Sequence, residues 1–108
     1  MMVFLVACSK SDSQALTEKL NISAFPAAAK IEHCGDVARD GGMMWDCIVA
    51  INPEDLPVLL AGHTYRQLST TAPERVYLAQ PKGFKQADWI HVFYNEDTRK
   101  AAIATHAP

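Results

Sequence analysis

Cysteine thiols are the side chains of this chain best suited to covalent chemistry. Of the three cysteines, Cys34 and Cys47 flank a stretch that contains Asp40-Gly41. Asp-Gly favours a two-residue hairpin turn, because a type I′ turn needs positive φ at both central positions. Pairing outward from this turn places Cys34 directly opposite Cys47 as a non-hydrogen-bonded pair, with Cα atoms about 4.5 Å apart. That separation suits a disulfide bond, so the spacing predicts one between Cys34 and Cys47.

Two alternatives to the disulfide use the same residues. Cys34 and Cys47 could both be reduced and buried in one hairpin, since cysteine is often simply a core residue. A metal site that adds His33 is disfavoured, because neighbours on a strand point to opposite faces. Structural disulfides persist in oxidising compartments and are rare in the cytosol. A bonded pair therefore predicts an exported protein.

The third cysteine ends the apolar run Leu5-Val6-Ala7-Cys8, and the polar run Ser9-Lys10-Ser11-Asp12-Ser13 follows it. This pattern resembles the lipobox of bacterial lipoproteins, in which a small residue precedes a cysteine that becomes the lipidated first residue. The resemblance implies that Cys8 carries acyl chains, palmitate among them. Each buried CH₂ contributes about 0.8 kcal/mol, so several chains would hold a small domain on a bilayer. Residues 1–7 are then the remnant of a signal peptide, and residues 8–13 the lipidated cysteine and its tether.

The resemblance is confined to this segment and identifies no functional family for the rest of the chain. Residues 1–7 contain no Lys or Arg, whereas a complete secretory signal has a basic start and roughly 7–15 apolar residues. In the alternative interpretation, residues 3–7 form a first buried strand. Ser9 stands where an aspartate would favour inner-membrane retention. The resemblance therefore implies a protein that faces the periplasm, with the outer membrane slightly favoured.

Other reactive side chains lack the spacing that chemistry needs. Glu54 and Asp55 follow Asn52-Pro53, where carboxylates stabilise the start of a helix. No glycine-rich loop is present to bind phosphate. The histidines show no metal-ligand spacing such as two on one helical turn; they are His33, His63, His91 and His106. We therefore expect no catalytic residue, no metal and no cofactor. The net charge of -2, without a basic patch, predicts no nucleic-acid binding.

Two helices are predicted from capping signals. Ser11 or Ser13 caps the first, which ends at Leu20. The second begins at Asn52-Pro53, with Gly62 as its stop. In the alternative, its regular part begins near Asp55, because Pro57 lacks the backbone donor that an earlier start would use. Its apolar stripe, which should lie on a sheet, consists of Leu56, Leu59 and Leu60.

About five strands are predicted from apolar alternation and turn signals. They span residues 28–36, 43–51, 75–80, 88–94 and 100–105. Residues 64–73 are predicted to be irregular. In the second strand Trp45, Cys47, Val49 and Ile51 form an apolar side that should meet the core. The pattern predicts one α+β domain over residues 14–108, with an antiparallel sheet and one or two helices on one face.

The strand over residues 88–94 carries large apolar groups on both sides. Ile90 and Val92 lie on one side, and Trp89, His91 and Phe93 on the other, because side chains alternate. If the aliphatic side meets the core, the aromatic side is a candidate partner surface, since aromatic residues are enriched at interfaces. In the alternative, the first helix or residues 64–73 cover it.

Two functions from different classes follow. The favoured prediction is a non-enzymatic, lipid-anchored envelope lipoprotein whose domain contacts a protein partner in the periplasm. The alternative is a small cytosolic α+β domain, regulatory or enzymatic, that truly starts at Met1.

Overall fold

In the residues that the computed structural model describes, the regular structure consists of six antiparallel strands in one sheet and two short helices. The model describes residues 11–39, 42–69, 71–80 and 89–106. The strands are β1 (Lys30–Arg39), β2 (Gly42–Ala50), β3 (Tyr65–Ser69), β4 (Glu74–Ala79), β5 (Ile90–Asn95) and β6 (Lys100–His106). The helices are α1 (Asp12–Leu20) and α2 (Leu56–Leu59). The predicted α+β class is confirmed, with six strands rather than about five.

The strand order is β1-β2-β6-β5-β4-β3. Strands β3 to β6 form a meander, and the β1–β2 hairpin joins it through pairing of β2 with β6. Asp40 and Gly41 lie outside the described residues, but Arg39 pairs with Gly42 and Cys34 with Cys47, as the predicted turn requires. The strands predicted over residues 75–80, 88–94 and 100–105 correspond to β4, β5 and β6.

The core lies between one face of the sheet and the two helices. Side chains alternate along a strand, so every second residue of the central strands points into this core. Its residues on the central strands are each at most 3% exposed: Cys47, Val49, Ile90, Val92, Tyr94, Ala101, Ile103 and Thr105. Leu16 and Leu20 of α1 and Leu56 and Leu59 of α2 also belong to the core, together with Ile51 and Ala79. Ile90 and Val92, the aliphatic side of β5, are therefore the side that meets the core.

Helix α1 begins and ends as its sequence predicts. Ser11 Oγ accepts a hydrogen bond from the Gln14 backbone N–H at 3.1 Å, and the Gln14 side chain accepts one from the Ser11 N–H, which together form a capping box. The helix therefore begins within the segment predicted as a tether. Asn21 ends it with φ of 56°, and the N–H groups of Asn21 and Ile22 donate to the carbonyls of Glu18 and Thr17. This is a Schellman motif.

The second helix is shorter than predicted. A 3₁₀ turn over Pro53–Asp55 precedes α2, which ends at Leu59. The Asn52 side chain makes no capping hydrogen bond, and Pro57 lacks the N–H that a longer helix would use. The predicted stop at Gly62 is wrong, because the chain has already left the helix there.

The prediction that residues 64–73 are irregular is wrong, because β3 forms within them. Tyr65 pairs with Ala79 and Gln67 with Tyr77. Strand β3 is the last strand of the sheet, and its three middle residues are exposed. An exposed edge strand needs no apolar alternation, so the signal used for the other strands is absent here.

Candidate functional site

The cysteine pair is bonded as predicted. Cys34 and Cys47 form a disulfide between β1 and β2, with their Cα atoms 4.1 Å apart. Cys47 is buried and Cys34 partly buried. His33 pairs with Ile48, which places it on the face of the sheet opposite to the two sulfur atoms. The alternatives of reduced thiols and of a site shared with His33 are therefore both excluded in this structure.

The face of the sheet opposite to the helices, here called the outer face, carries the predicted aromatic residues. On the central strands its residues include Met44, Asp46, Ile48, His91, Phe93, Ala102 and Ala104. The rings of Trp89 and His91 stack with centroids 6.3 Å apart, and those of His91 and Phe93 with centroids 5.9 Å apart. Phe93 is 44% exposed, while Trp89 and His91 are partly buried. These three residues are called the aromatic row below.

Neither element proposed as a cover lies on the aromatic row. Helix α1 packs on the other face, where Leu16 and Leu20 join the core and the Lys19 ammonium lies 5.8 Å from the centroid of the Trp45 ring. Residues 65–69 form edge strand β3 instead of folding over the sheet. The described residues of these two segments therefore do not cover the aromatic row. Its role as a partner surface stays a prediction.

A depression of about 260 Å³ adjoins the aromatic row and is lined by Met44, His91, Phe93 and Ala104. It forms because the small side chain of Ala104 on β6 lies between larger side chains on the strands to either side. Its lining is a thioether, two rings and a methyl group. Such a surface can bury apolar groups of a partner, since Met and aromatic residues are enriched at interfaces.

A second depression of about 280 Å³ lies where β3 meets β4 and is lined by Thr64, Tyr65, Arg66, Leu78 and Gln80. Burial raises the pKa of Tyr65 to about 12. Its hydroxyl oxygen is buried and has no hydrogen-bond partner in the described part of the chain. The sequence analysis missed Tyr65 because the strand that positions it was predicted to be irregular.

The remaining candidates for chemistry are dispersed. Glu54 and Asp55 lie in the 3₁₀ turn that precedes α2. His63 contacts the Lys19 carbonyl through Nε2 at 3.0 Å. Within residues 11–39, 42–69, 71–80 and 89–106, no three His, Cys, Asp or Glu side chains are close enough together to hold a metal ion. Cys8 lies outside the described residues, so its lipidation stays a prediction.

None of the helices in the described ranges is long and apolar enough to cross a membrane. Comparison with protein-family models, with curated proteins and with solved structures finds no match to this chain.

Proposed function

We propose that this chain is a lipid-anchored lipoprotein of a bacterial envelope, and that its α+β domain binds a protein partner without catalysing a reaction. The observation that carries the proposal is the aromatic row on the outer face. The core face takes the apolar sides of both helices, and a second face with a half-exposed Phe93 beside an apolar depression remains. Exposed apolar patches of this kind mark interaction surfaces.

The disulfide supports the compartment in this proposal. A bond between Cys34 and Cys47 is consistent with an oxidising environment such as the periplasm, because cytosolic thiols are kept reduced.

The position of Cys8 supports an anchored arrangement. It lies three residues before Ser11, the cap of α1, and three residues span at most about 11 Å. A lipid on Cys8 would therefore hold the start of α1 close to the membrane surface.

The anchor is tested by comparing the chain with its Cys8→Ser variant, both expressed in a bacterium from the native start region. The unsubstituted chain should partition into detergent and carry acyl chains by mass spectrometry. The variant should be released into the aqueous phase, with the same thermal stability. An unmodified Met1 at the N-terminus of the mature product would contradict the anchor.

The contact surface is tested with two variants of matched exposure. Phe93 on the outer face is 44% exposed and Val58 on α2 is 43% exposed. After crosslinking in envelope extracts, Phe93→Ser should lower capture of a defined partner band by at least about tenfold, as expected for an aromatic contact residue. Val58→Ser should leave that capture unchanged. Equal capture by both variants would rule out the outer face as the contact surface.

A further inference from the structure

The two edges of the sheet differ in how well they are protected against pairing with another strand. Edge strand β3 has five residues, one of them Arg66, and a register shift after Gln67. Edge strand β1 has ten residues, and its register shift is confined to the step from Ile31 to His33. Bulges, short length and charge are the devices that block edge pairing. The regular part of β1, residues 33–39, is longer than the whole of β3 and carries two acidic or basic charges, Asp36 and Arg39.

The free backbone groups of β1 can be assigned from the disulfide. A Cα separation of 4.1 Å between Cys34 and Cys47 identifies a non-hydrogen-bonded pair, because hydrogen-bonded pairs lie about 5.5 Å apart. The N–H and C=O groups of Cys34 therefore point away from β2. Alternation gives the same direction to those of Asp36 and Ala38. In the described residues β1 is the terminal strand of the sheet, so these groups face outward.

We propose that this edge of β1 pairs antiparallel with the same edge of a second copy of the chain, about a two-fold axis at Gly35. Pairing at this edge does not require the lipid anchor or the aromatic row. Cys34 of one copy exchanges backbone hydrogen bonds with Asp36 of the second copy, and the symmetric pair repeats them, which gives about four bonds. Gly35 faces Gly35 of the second copy, and His33 faces Val37 of the second copy.

Charge and strand length select this register. Hydrogen bonds form only where outward-pointing residues face each other, which restricts the axis to few positions. An axis at Asp36 would place two Asp36 carboxylates directly opposite each other, and like charges in that arrangement are destabilising. An axis at Cys34 would oppose Asp36 with Glu32 at the bulge. An axis at Val37 would pair Cys34 with a residue beyond the end of β1. The axis at Gly35 places no like charges directly opposite each other, and it keeps both Cys34–Asp36 pairs within β1.

A second copy of the chain is the partner at this edge because the contact is self-complementary. The same backbone groups form the hydrogen bonds on both chains, as in most two-fold dimers. At the axis the two glycines place no side chains between the strands. The paired segment is short, so the interface belongs to the small, weak class. Trapping the contact covalently is therefore a sharper test than the size of the particle alone.

The test is Gly35→Cys in the full chain that also carries Cys8→Ser. In the proposed register the introduced thiols belong to Cα atoms about 4.5 Å apart, which allows a disulfide. A Cβ at Gly35 would lie 3.4 Å from His33 Nε2, an ordinary contact with a movable side chain, so the substitution fits. The control is Val37→Cys, two residues further along β1 and 38% exposed. Its two copies would lie about 14 Å apart along the paired strands.

Under mild oxidation, Gly35→Cys should give at least about tenfold more disulfide-linked dimer than Val37→Cys, because a disulfide needs close Cα atoms. Peptide mapping should show a bond between the two introduced thiols, with Cys34–Cys47 intact. Equal yields, a higher yield for Val37→Cys, or a dimer linked through Cys34 or Cys47 would overturn the proposal.

A second comparison tests the backbone bonds themselves. Adding Asp36→Pro to Gly35→Cys removes an outward N–H, a change that edge strands tolerate, and should lower the dimer yield by about tenfold. Adding Asp36→Asn also removes the charge but keeps the N–H, so its yield should lie well above that of Asp36→Pro. A loss of yield with Asp36→Asn as large as with Asp36→Pro would also overturn the proposal. If circular dichroism shows that Asp36→Pro does not fold, the comparison of Gly35→Cys with Val37→Cys decides alone.

Discussion

Two tyrosines on the core face of the sheet differ in what their hydroxyl groups contact. The Tyr94 hydroxyl donates a hydrogen bond to the Ile51 carbonyl at 2.8 Å. The Tyr65 hydroxyl is buried, and no residue in the described ranges accepts from or donates to it. A paired hydroxyl contributes to stability, whereas an unpaired buried one costs free energy. The same substitution should therefore have opposite effects at the two positions.

We expect Tyr94→Phe to lower the free energy of unfolding by about 1 kcal/mol, because it removes a buried hydrogen bond and leaves the Ile51 carbonyl unpaired. Tyr65→Phe should leave it unchanged or raise it by up to about 1 kcal/mol, because it removes a buried polar group without a partner. Urea unfolding of both variants beside the unsubstituted chain measures the two values. If Tyr65→Phe lowers the free energy of unfolding as much as Tyr94→Phe does, the Tyr65 hydroxyl has a hydrogen-bond partner in solution.

The free energy of unfolding should also depend on pH in the alkaline range, because of Tyr65. Burial raises the pKa of Tyr65 from 10.0 to about 12. Between these values the unfolded chain loses the phenol proton while the folded chain keeps it, so the stability from this group is present below about pH 10 and is lost as pH rises to about 12. Tyr65→Phe should therefore gain stability relative to the unsubstituted chain between about pH 9 and pH 11. If the difference in free energy of unfolding between Tyr65→Phe and the unsubstituted chain stays constant over that range, burial does not raise the pKa of Tyr65.

Residues were predictable from the sequence where a local geometric rule fixes them. Asp40-Gly41 fixes the hairpin register, and the register alone brings Cys34 opposite Cys47. Alternation along β5 likewise separates Ile90 from Phe93, so one is buried and the other exposed. No local rule indicates that the Tyr65 oxygen is buried. That burial depends on the pairing of β3 with β4. The sequence analysis found no turn signal that predicts this pairing.

At the level of elements, prediction succeeded where the chain carries its own start and stop signals. Helix α1 has its capping box at Ser11 and Gln14, and β1 and β2 share a strong turn. Strand β3 lacks such signals, and helix α2 has a start signal at Asn52-Pro53 that the structure does not follow. A cap residue at Asn52 proved insufficient, because Pro57 interrupts the hydrogen bonds of a longer helix.

The contact between α1 and the loop after α2 depends on Gly62. The Asn21 side-chain amide donates to the Gly62 carbonyl at 3.1 Å, and a Cβ on Gly62 would overlap the backbone oxygen of Leu20. Gly62→Ala should therefore lower the free energy of unfolding by about 1–3 kcal/mol, as overpacking against backbone does. Ala61→Ser, at an exposed neighbour, should change it little. Thermal unfolding measures both variants. If Gly62→Ala leaves the stability unchanged, the loop can move away from α1.

The disulfide stabilises the β1–β2 hairpin against the unfolded chain. The two cysteines are 13 residues apart, and closing a loop of this length contributes about 3 kcal/mol through chain entropy. Reduction should lower the melting temperature but leave the far-ultraviolet spectrum of the sheet, because the core also contains β5 and β6. Cys8→Ser should leave the melting temperature unchanged. Loss of the spectrum on reduction would mean that the hairpin is required for the whole sheet to form.

Across the whole molecule, stability should fall from the centre of the sheet towards its edges. Strand β6 lies between β2 and β5, and Val49, Val92 and Ile103 on these three strands are at most 1% exposed. Their amides should exchange hydrogen only on global unfolding, because opening them disrupts the core. The amides of β3 should exchange faster, since that strand is short and its middle residues are exposed.

Strand β1 should show an alternating pattern of exchange that reports on its free edge. In dilute protein the N–H groups of Gly35 and Val37 point towards β2 and should be protected. Those of Cys34 and Asp36 point outward and should exchange quickly, because water reaches them directly. As the protein concentration rises, the outward amides should slow if a second copy pairs with this edge, while Gly35 and Val37 change little. Amide exchange followed by NMR measures each position. Uniform protection along β1 at the lowest concentration would mean that the edge is already covered within one chain, and a second copy could not then bind there.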